Sequence, residues 1–355
     1  MAFIYNRFSP QCIPPRDVIT KEERIELISA IEVALGSTVI SYVAADRQGL
    51  EINIATDVFP ILHSHLAKVG YQNQIDLFLY GTSGVPMAGY ALVNLFREFC
   101  GRFNVIIPFK AHSTATLIAL GADELVMSEM GQLSPIDPSV QHPLSPKITL
   151  PNQLVQDVPV NVEDVDGFLS FARNELGLGG EESMQKVLDA LASNVSPLVL
   201  GAMYRSREQI AFLAAHLLKQ HMDDDETIDR AVSTLTSKRF SHQYIISRKE
   251  AKDGLGLNVI EPDERLASLI IGLWEQYVEI TEVDKPYNPQ TVLEREFVKV
   301  SNFDRGIIES KGLTHVFRTQ KEVERSEMSI PQSPFPQIAY REQILEEGWI
   351  EDDRL

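Results

Sequence analysis

The segment from Ile75 to Met127 alternates apolar runs with helical patterns, and this alternation restricts the possible folds more than any other feature of the sequence. Three apolar runs of strand length and two patterns with helical spacing follow one another in the order Ile75–Tyr80, Pro86–Phe99, Asn104–Phe109, Thr114–Leu120 and Glu124–Met127. Strands and helices that alternate over short turns are expected to form one parallel sheet with right-handed crossovers. The sequence therefore predicts an α/β fold with parallel strands.

The rest of the chain divides into regions by pattern. A capping box of Thr20 and Glu23 opens an amphipathic helix near the N-terminus. The stretch from about Val162 to His221 is helical, and Val292–Phe317 alternates apolar and polar residues as a small β hairpin does. Ser329–Pro336 is rich in proline and precedes an acidic tail. We expect an N-terminal arm and helix, an α/β domain with a helical second half, and a β-hairpin extension with an acidic tail: residues 1–36, 37–285 and 286–355.

The charge balance restricts the partners. The chain carries 32 basic and 50 acidic residues, which gives a formal net charge of −18. Such a surface repels phosphate backbones and anionic lipid, so we expect no binding to nucleic acid or to membrane surfaces. No apolar run approaches the roughly 18 residues of a membrane span, and the N-terminus lacks a signal-peptide pattern. Because two cysteines also suit a reducing compartment, we expect a cytoplasmic protein.

Two turns follow the first two strands of the alternating segment, at the edge where open α/β folds bind ligands. They are Gly81–Gly84 (GTSG) and Lys110–Ser113 (KAHS). Ser113 lies at the start of a helix, whose first N–H groups have no intrahelical partner and favour negative charge. These donors would stabilise the oxyanion that forms when a hydroxyl attacks a carbonyl, and Gly84 lets a second backbone approach. A serine here is also a common helix cap, so the pattern by itself leaves both roles open.

Three runs within Tyr80–Val140 match one protein family in order and spacing: YGTSGVPMAGYALVNLFREF, VIIPFKAHSTATLIALGADELVM and GQLSPIDPSV. They resemble the serine dehydrogenase proteinase family, whose relatives are signal peptide peptidase A and the Clp proteolytic subunit. Arg239–Leu257 resembles the later segment of that family, which contains a histidine. The resemblance implies a ClpP/crotonase-like spiral of β-β-α units with parallel strands, a helical second half and a small C-terminal β extension.

The resemblance also implies a site. It implies that Ser113 is the nucleophile of a serine peptidase and that the backbone amides of Gly84 and Thr114 form the oxyanion hole. One position departs from the family, which usually has a Gly-Gly pair where this sequence has Ser83-Gly84. If the first position of the pair requires a positive φ, the Cβ of Ser83 would distort the oxyanion hole.

The sequence contains no clear counterpart of the histidine that serves as the general base in the Clp proteolytic subunit. The corresponding place falls in Ser134–Pro138, where Asp137 is the one titratable residue. An aspartate beside a proline commonly stabilises a turn, and that role is the simpler interpretation of Asp137.

Three other residues are candidates for the base. Lys110 is on the same turn as Ser113 and would act as a base if burial lowered its pKa. His242 lies in the segment that resembles the histidine-containing part of the family, and Lys147 is the nearest counterpart of the lysine in signal peptide peptidases. Our order of preference is Lys110, then His242, then Lys147.

The leading hypothesis is a serine peptidase that hydrolyses polypeptides through an acyl-enzyme at Ser113. A non-catalytic oligomeric binding or scaffold member of the same fold is the first alternative, favoured by Ser83 and by the missing Clp-type histidine. A crotonase-like acyl-CoA enzyme is the second, since it would use a backbone oxyanion hole without Ser113. We expect a homo-oligomer with contacts through Val162–His221 and the C-terminal arm. The sequence has no phosphate-binding loop or HExxH metal motif, so we expect no cofactor and no metal.

Overall fold

The computed structural model describes residues 20–136, 139–140, 142–149, 155–158, 160–236, 244–328 and 337–352. The helices are α1 (Lys21–Leu35), α2 (Phe59–Val69), α3 (Pro86–Arg97), α4 (Thr114–Leu120), α5 (Val162–Asn174), α6 (Glu181–Ala192), α7 (Pro197–Leu218), α8 (Asp225–Leu235), α9 (Arg248–Asp253), α10 (Glu264–Thr281) and α11 (Pro289–Leu293). The strands are β1 (Thr38–Ala44), β2 (Gln72–Tyr80), β3 (Cys100–Ile107), β4 (Lys110–Ala111), β5 (Glu124–Met127), β6 (Gln132–Leu133), β7 (Ser139–Val140), β8 (Lys147–Thr149), β9 (Val155–Asp157), β10 (Val160–Asn161), β11 (Ile246–Ser247), β12 (Val259–Ile260), β13 (Val298–Ser310), β14 (Leu313–Met328) and β15 (Gln337–Glu351).

One mixed sheet organises the fold. Its strands lie in the order β12-β5-β3-β2-β1-β13-β14-β15. The strands from β12 to β1 are parallel, whereas β13, β14 and β15 are antiparallel to their neighbours. The predicted α/β fold with parallel strands is therefore confirmed, and three antiparallel strands extend the same sheet.

Helices cover both faces of the sheet. Because successive strand residues point to opposite faces, Ile40 and Tyr42 of β1 belong to the core beneath α2, α3, α4 and α7. Val39 and Val43 belong to the core beneath α1 and α10. Every residue of α4 is buried, so this short helix is fixed by packing on all sides. The position of its first residue follows from that packing.

The helical second half corresponds to α5, α6 and α7, close to the predicted stretch 162–221. Its C-terminal part packs on α4, where Leu213, Ala214 and Leu217 join the main core. Within the described residues, no single helix is long and apolar enough to cross a bilayer. The pair α6 and α7 meets that length and apolarity together, but the two helices are bent by 101°.

The C-terminal strands differ from the predicted small hairpin and tail. The hairpin of β13 and β14 ends at Met328, beyond the predicted stretch 292–317, and residues 337–351 form a third strand rather than a tail. Most side chains of β15 are exposed, so its sequence lacks the apolar and polar alternation that identifies a strand. Its conformation is fixed instead by backbone pairing with β14.

A buried charged group joins these strands to the helices. Arg24 of α1 donates two hydrogen bonds of 2.9 Å to the carboxylate of Glu309 in β13. Tyr277 of α10 and Thr314 of β14 each donate a hydrogen bond of 3.0 Å to the same carboxylate. All four residues are completely buried, so the ion pair of Arg24 and Glu309 is isolated from solvent.

Candidate active site

The two turns predicted to form the site lie side by side. The N–H of Gly81 donates to the carbonyl of Lys110 over 3.1 Å, and the N–H of His112 donates to the carbonyl of Gly81 over 2.9 Å. This parallel bridge between Gly81 and Ala111 joins the end of β2 to β4. The turn that carries Gly84 is therefore anchored beside the turn that carries Ser113.

Ser113 has an unusual backbone conformation. Its φ is 52° and its ψ is −115°, which is the geometry of the first central residue in a type II′ turn, a position normally taken by glycine. Holding a residue with a Cβ there costs about 1–3 kcal/mol, and such residues concentrate at functional sites. The Ser113 side chain makes no capping hydrogen bond to α4, although the residue occupies the cap position. The helix-cap role that the sequence left open is therefore not the role of this side chain.

Glycine is required at position 84 because a side chain would not fit there; the φ of Gly84 is not positive. It forms a parallel bridge with Ile54, in which Ile54 donates to the carbonyl of Ser83 over 3.0 Å and accepts from Val85 over 2.8 Å. A Cβ on Gly84 would lie 2.4 Å from the carbonyl oxygen of Ile54. Because the bridge uses the groups on either side of Gly84, its own N–H points away from Ile54.

Thr114 supplies the first N–H of α4. The residue is fully buried, and α3 approaches it so closely that a Cβ on Gly89 would lie 2.8 Å from Thr114 Cγ2. Neither the N–H of Thr114 nor that of Gly84 donates a hydrogen bond to another residue in the described part of the chain. Two backbone donors on adjacent turns are thus available to an oxygen atom bound beside Ser113.

Ser83 does not strain its turn. Among the described residues other than glycine, positive φ is found at Ser113, Glu282 and Glu294, so the backbone of Ser83 is in an ordinary conformation. Its hydroxyl donates to the side-chain oxygen of Asn53. The departure from the Gly-Gly pair therefore places no Cβ in a left-handed conformation.

This arrangement can be compared with known proteins. Residues 24–165 match the model of a family described as ClpP-like SDH-type serine proteinases. Over these residues the chain resembles that family. Ser113, Gly84, Thr114, Lys110 and Lys147 all lie within the matched residues, whereas His242 lies beyond them.

Two proteins of Methanocaldococcus jannaschii are similar to this chain, and both are named as uncharacterized. MJ0137 is 25% identical over 191 residues, which cover 54% of this chain and 55% of MJ0137. MJ1495 is 36% identical over 70 residues, which cover 19% of this chain and 24% of MJ1495. The chain thus spans about half the length of the first relative and a quarter of the second. No solved structure matches the chain significantly.

Lys110, the first candidate for the base, forms an ion pair with Asp46. Its Nζ lies 2.8 Å from the carboxylate of Asp46, and the ammonium stands 5.3 Å above the ring of Phe109. Tyr80 also donates to Asp46, and burial, reinforced by that carboxylate, raises the pKa of the Tyr80 phenol. These residues border the core under α10, whereas α4 packs in the core on the opposite face. In the structure, Lys110 is therefore paired with Asp46 rather than with Ser113.

The other candidates for the base occupy different positions. Lys147 lies in β8 with its side chain 55% exposed, and its ammonium is 3.5 Å from Asp157 across the β8–β9 hairpin. His242 and Asp137 lie outside the described residues. No titratable side chain in the described ranges donates to or accepts from the hydroxyl of Ser113.

Two hydroxyls near Ser113 were missed by sequence reasoning. The N–H of Ser113 donates to Ser134 Oγ over 2.8 Å, and the N–H of Ser134 donates to Thr116 Oγ1 over 3.1 Å. Ser134 comes beside Ser113 because β6 pairs with β4 in parallel, with Leu133 opposite Ala111. Strands of two residues carry no periodicity, so the sequence offers no signal for this pairing.

Proposed function

We propose that this chain is a serine peptidase that hydrolyses peptide bonds through an acyl-enzyme on Ser113. The match of residues 24–165 to a family of ClpP-like serine proteinases supports peptidase activity in general. The observation that carries the specific proposal is the backbone of Ser113, a non-glycine residue at φ 52° whose side chain does not cap its helix. A strained turn between strand and helix exposes the serine hydroxyl in other hydrolases, where it serves nucleophilic attack.

The proposed reaction has two steps. In the first, Ser113 Oγ attacks the carbonyl carbon of the scissile peptide, its proton passes to a base, and the carbonyl oxygen becomes an oxyanion. The tetrahedral intermediate collapses, the C–N bond breaks, and the leaving amine takes the proton. In the second, water attacks the acyl carbon, the ester bond to Ser113 breaks, and a carboxylic acid and the free serine remain.

The two free N–H groups are the proposed oxyanion hole. Gly84 and Thr114 each present a backbone donor on neighbouring turns, and the Ile54 bridge and the close approach of Gly89 fix them before a substrate binds. Preorganised donors of this kind stabilise the transition state without a change of structure during the reaction. We also propose the β-β-α spiral of the Clp and crotonase families for the arrangement of these turns.

The base is proposed to be one of Lys110, His242 and Lys147. Because Lys110 and Lys147 are paired with Asp46 and Asp157, either lysine must exchange that partner to serve Ser113. Substitution of each residue with glutamine identifies the base.

A non-catalytic scaffold of the same fold is the second candidate function. The observation that favours it is the absence, within the described ranges, of a titratable side chain bonded to the Ser113 hydroxyl. We propose a homo-oligomer under either function, with contacts through α5, α6 and α7. Exposed aromatic side chains on these helices support that surface: Phe168, Phe171, Tyr204 and Phe212.

The test is labelling with a fluorophosphonate probe, which reacts with activated serines. Wild type should be labelled, and Ser113→Ala should not be. Ser83→Ala is the matched control because Ser83 lies on the neighbouring turn with its hydroxyl bonded to Asn53, and this variant should still be labelled. A folded wild type that stays unlabelled would contradict the peptidase proposal and favour the scaffold.

A further inference from the structure

The strained backbone of Ser113 needs neighbours that hold it. A residue in a sparsely populated region of φ and ψ keeps that conformation only when the surrounding structure determines it strongly. The pairing of Gly81 with Ala111 fixes the chain before Ser113, and the packing of α4 fixes the chain after it. Neither contact reaches the peptide N–H of Ser113 itself.

Two hydroxyls bind the backbone around Ser113. Ser134 Oγ accepts the N–H of Ser113 over 2.8 Å and donates to the carbonyl of Pro135 over 2.9 Å. Thr116 Oγ1 accepts the N–H of Ser134 over 3.1 Å and donates to the carbonyl of Ala111 over 2.7 Å. The carbonyl of Ala111 and the N–H of Ser113 are thus joined by one chain of hydrogen bonds that runs through Thr116 and Ser134.

This chain of bonds is shielded from water. Ser134 is 2% exposed, and Thr116 and Ala111 are completely buried. Water therefore does not replace the Ser134 hydroxyl unless the loop opens, and a buried N–H without a partner would be costly. Loss of the Ser134 hydroxyl leaves the peptide of Ser113 free to rotate toward an unstrained conformation.

We propose that Ser134 is a positioning residue for Ser113, which holds the nucleophile at positive φ through the Ser113 N–H. Ser134 does not touch the substrate in this proposal and acts only through Ser113. The proposal rests on the proposed function of Ser113 as a nucleophile. A rotation of that peptide would turn the Ser113 hydroxyl away from the carbonyl that Gly84 and Thr114 hold, and displacements of this size reduce rates strongly.

The test compares Ser134→Ala with Ser128→Ala. Ser128 is the matched control because it is also buried, donates to the carbonyl of Pro108 over 2.6 Å and accepts the N–H of Met130 over 3.1 Å. The two variants therefore lose equivalent hydrogen bonds and should lose similar thermal stability. Well below both unfolding transitions, Ser134→Ala should react with the fluorophosphonate probe about tenfold more slowly or worse, and Ser128→Ala within about twofold of wild type.

A second pair of variants separates positioning from packing. Thr116→Val keeps the shape of the buried side chain and removes its hydroxyl, so the labelling rate should fall. Thr116→Ser returns the hydroxyl and should restore the rate, although it removes a buried methyl group. A loss of labelling that follows stability, with Ser128→Ala as slow as Ser134→Ala, would overturn the proposal.

Amide hydrogen exchange distinguishes failure of this inference from failure of the proposed function. If wild type is labelled and Ser134→Ala is labelled equally fast, the inference fails and the function stands. If wild type is not labelled, the function fails, and exchange at the Ser113 N–H still decides the inference. Exchange that is faster in Ser134→Ala than in Ser128→Ala supports the positioning role, and equal exchange overturns it.

Discussion

The parallel and antiparallel halves of the sheet are stabilised by different kinds of contact. In the parallel half, β1, β2, β3 and β5 bury mostly apolar side chains on both faces, together with the carboxyl of Asp76, and the turns of Gly81 and Ser113 are held by backbone groups and neutral hydroxyls. In the antiparallel half, β13 and β14 bury charged and titratable groups. Glu309 accepts two bonds from Arg24, and His315 lies 3.1 Å from His65.

Because of this difference, we expect substitutions in one half of the sheet to change the reactivity of Ser113 and substitutions in the other half to change the stability of the protein. The hydrogen bonds around Ser113 are neutral and local, so substitutions there should change the labelling rate more than the free energy of unfolding. The buried ion pair of the antiparallel half connects α1, α10 and β14 across the core under α10. Substitutions there should reduce the free energy of unfolding and leave Ser113 reactive while the protein is folded.

The largest expected effect is on the antiparallel half. Arg24→Met leaves the Glu309 carboxylate buried without its cation, which should lower the free energy of unfolding by about 3–5 kcal/mol. Urea denaturation measures this loss. The double variant Arg24→Met/Glu309→Leu removes both charges and should regain most of the stability.

An exposed pair supplies the control for that prediction. Lys186 and Glu182 lie 3.2 Å apart with side chains 76% and 87% exposed, so Lys186→Met should change the free energy of unfolding by no more than about 0.5 kcal/mol. Equal losses for Arg24→Met and Lys186→Met would show that the buried pair does not stabilise this half. The labelling rate of folded Arg24→Met should match that of wild type.

The second expected effect is on the parallel half. Gly84→Ala puts a Cβ against the carbonyl oxygen of Ile54 and displaces the Gly84 N–H, so the labelling rate should fall by about 10² to 10³. Gly81→Ala is the control, because the nearest atom to its Cβ would be the flexible end of the Ile54 side chain at 3.0 Å. A folded Gly84→Ala protein that is labelled as fast as wild type would rule out Gly84 as an oxyanion donor.

The smallest expected effect is a pH dependence of the antiparallel half. Burial, with contributions from His315 and Lys68, lowers the pKa of His65 to about 3, and burial also lowers the pKa of His315. Because both pKa values are lower in the folded protein, the unfolded chain binds more protons between pH 3 and pH 6.5. The free energy of unfolding should therefore fall as the pH drops below about 6.5, by about 1 kcal/mol for His65 between pH 7.5 and 5.5.

Urea denaturation across this pH range measures that slope. His65→Gln keeps an amide in place of the ring and does not titrate, so the slope should decrease. An unchanged slope would assign the pH dependence to other groups. Labelling of Ser113 in His65→Gln should follow the wild-type pH profile, since His65 bonds to Ser310 and His315 and not to the site.

The apolar alternation predicted the parallel half closely. Thr114–Leu120 and Glu124–Met127 were predicted as a helix and a strand with the same ends that the structure has. Buried strands and helices can be recognised in a sequence because their apolar residues follow a regular pattern. The resemblance to a proteinase family also singled out Ser113, Gly84 and Thr114, and the match of residues 24–165 to a family of ClpP-like SDH-type serine proteinases supports that resemblance.

Lys110 shows that closeness in sequence does not predict which side chains are in contact. Lys110 is three residues from Ser113, but it lies in β4, where neighbouring side chains point to opposite sides. Its ammonium is thereby directed to Asp46, sixty-four positions away in the sequence. Proximity along the chain did not determine which groups meet.

The sequence alone determined the fold class and most of the elements, because these follow from periodicity, and its resemblance to a proteinase family singled out Ser113 as the candidate nucleophile. The tertiary structure decided the conformation of Ser113, the bond from its N–H to Ser134, the contact that requires glycine at position 84 and the strand at residues 337–351. Each of these depends on pairing between segments distant in sequence. Such pairing is set by backbone hydrogen bonds and by the space between packed elements, which leave no periodic pattern in the chain.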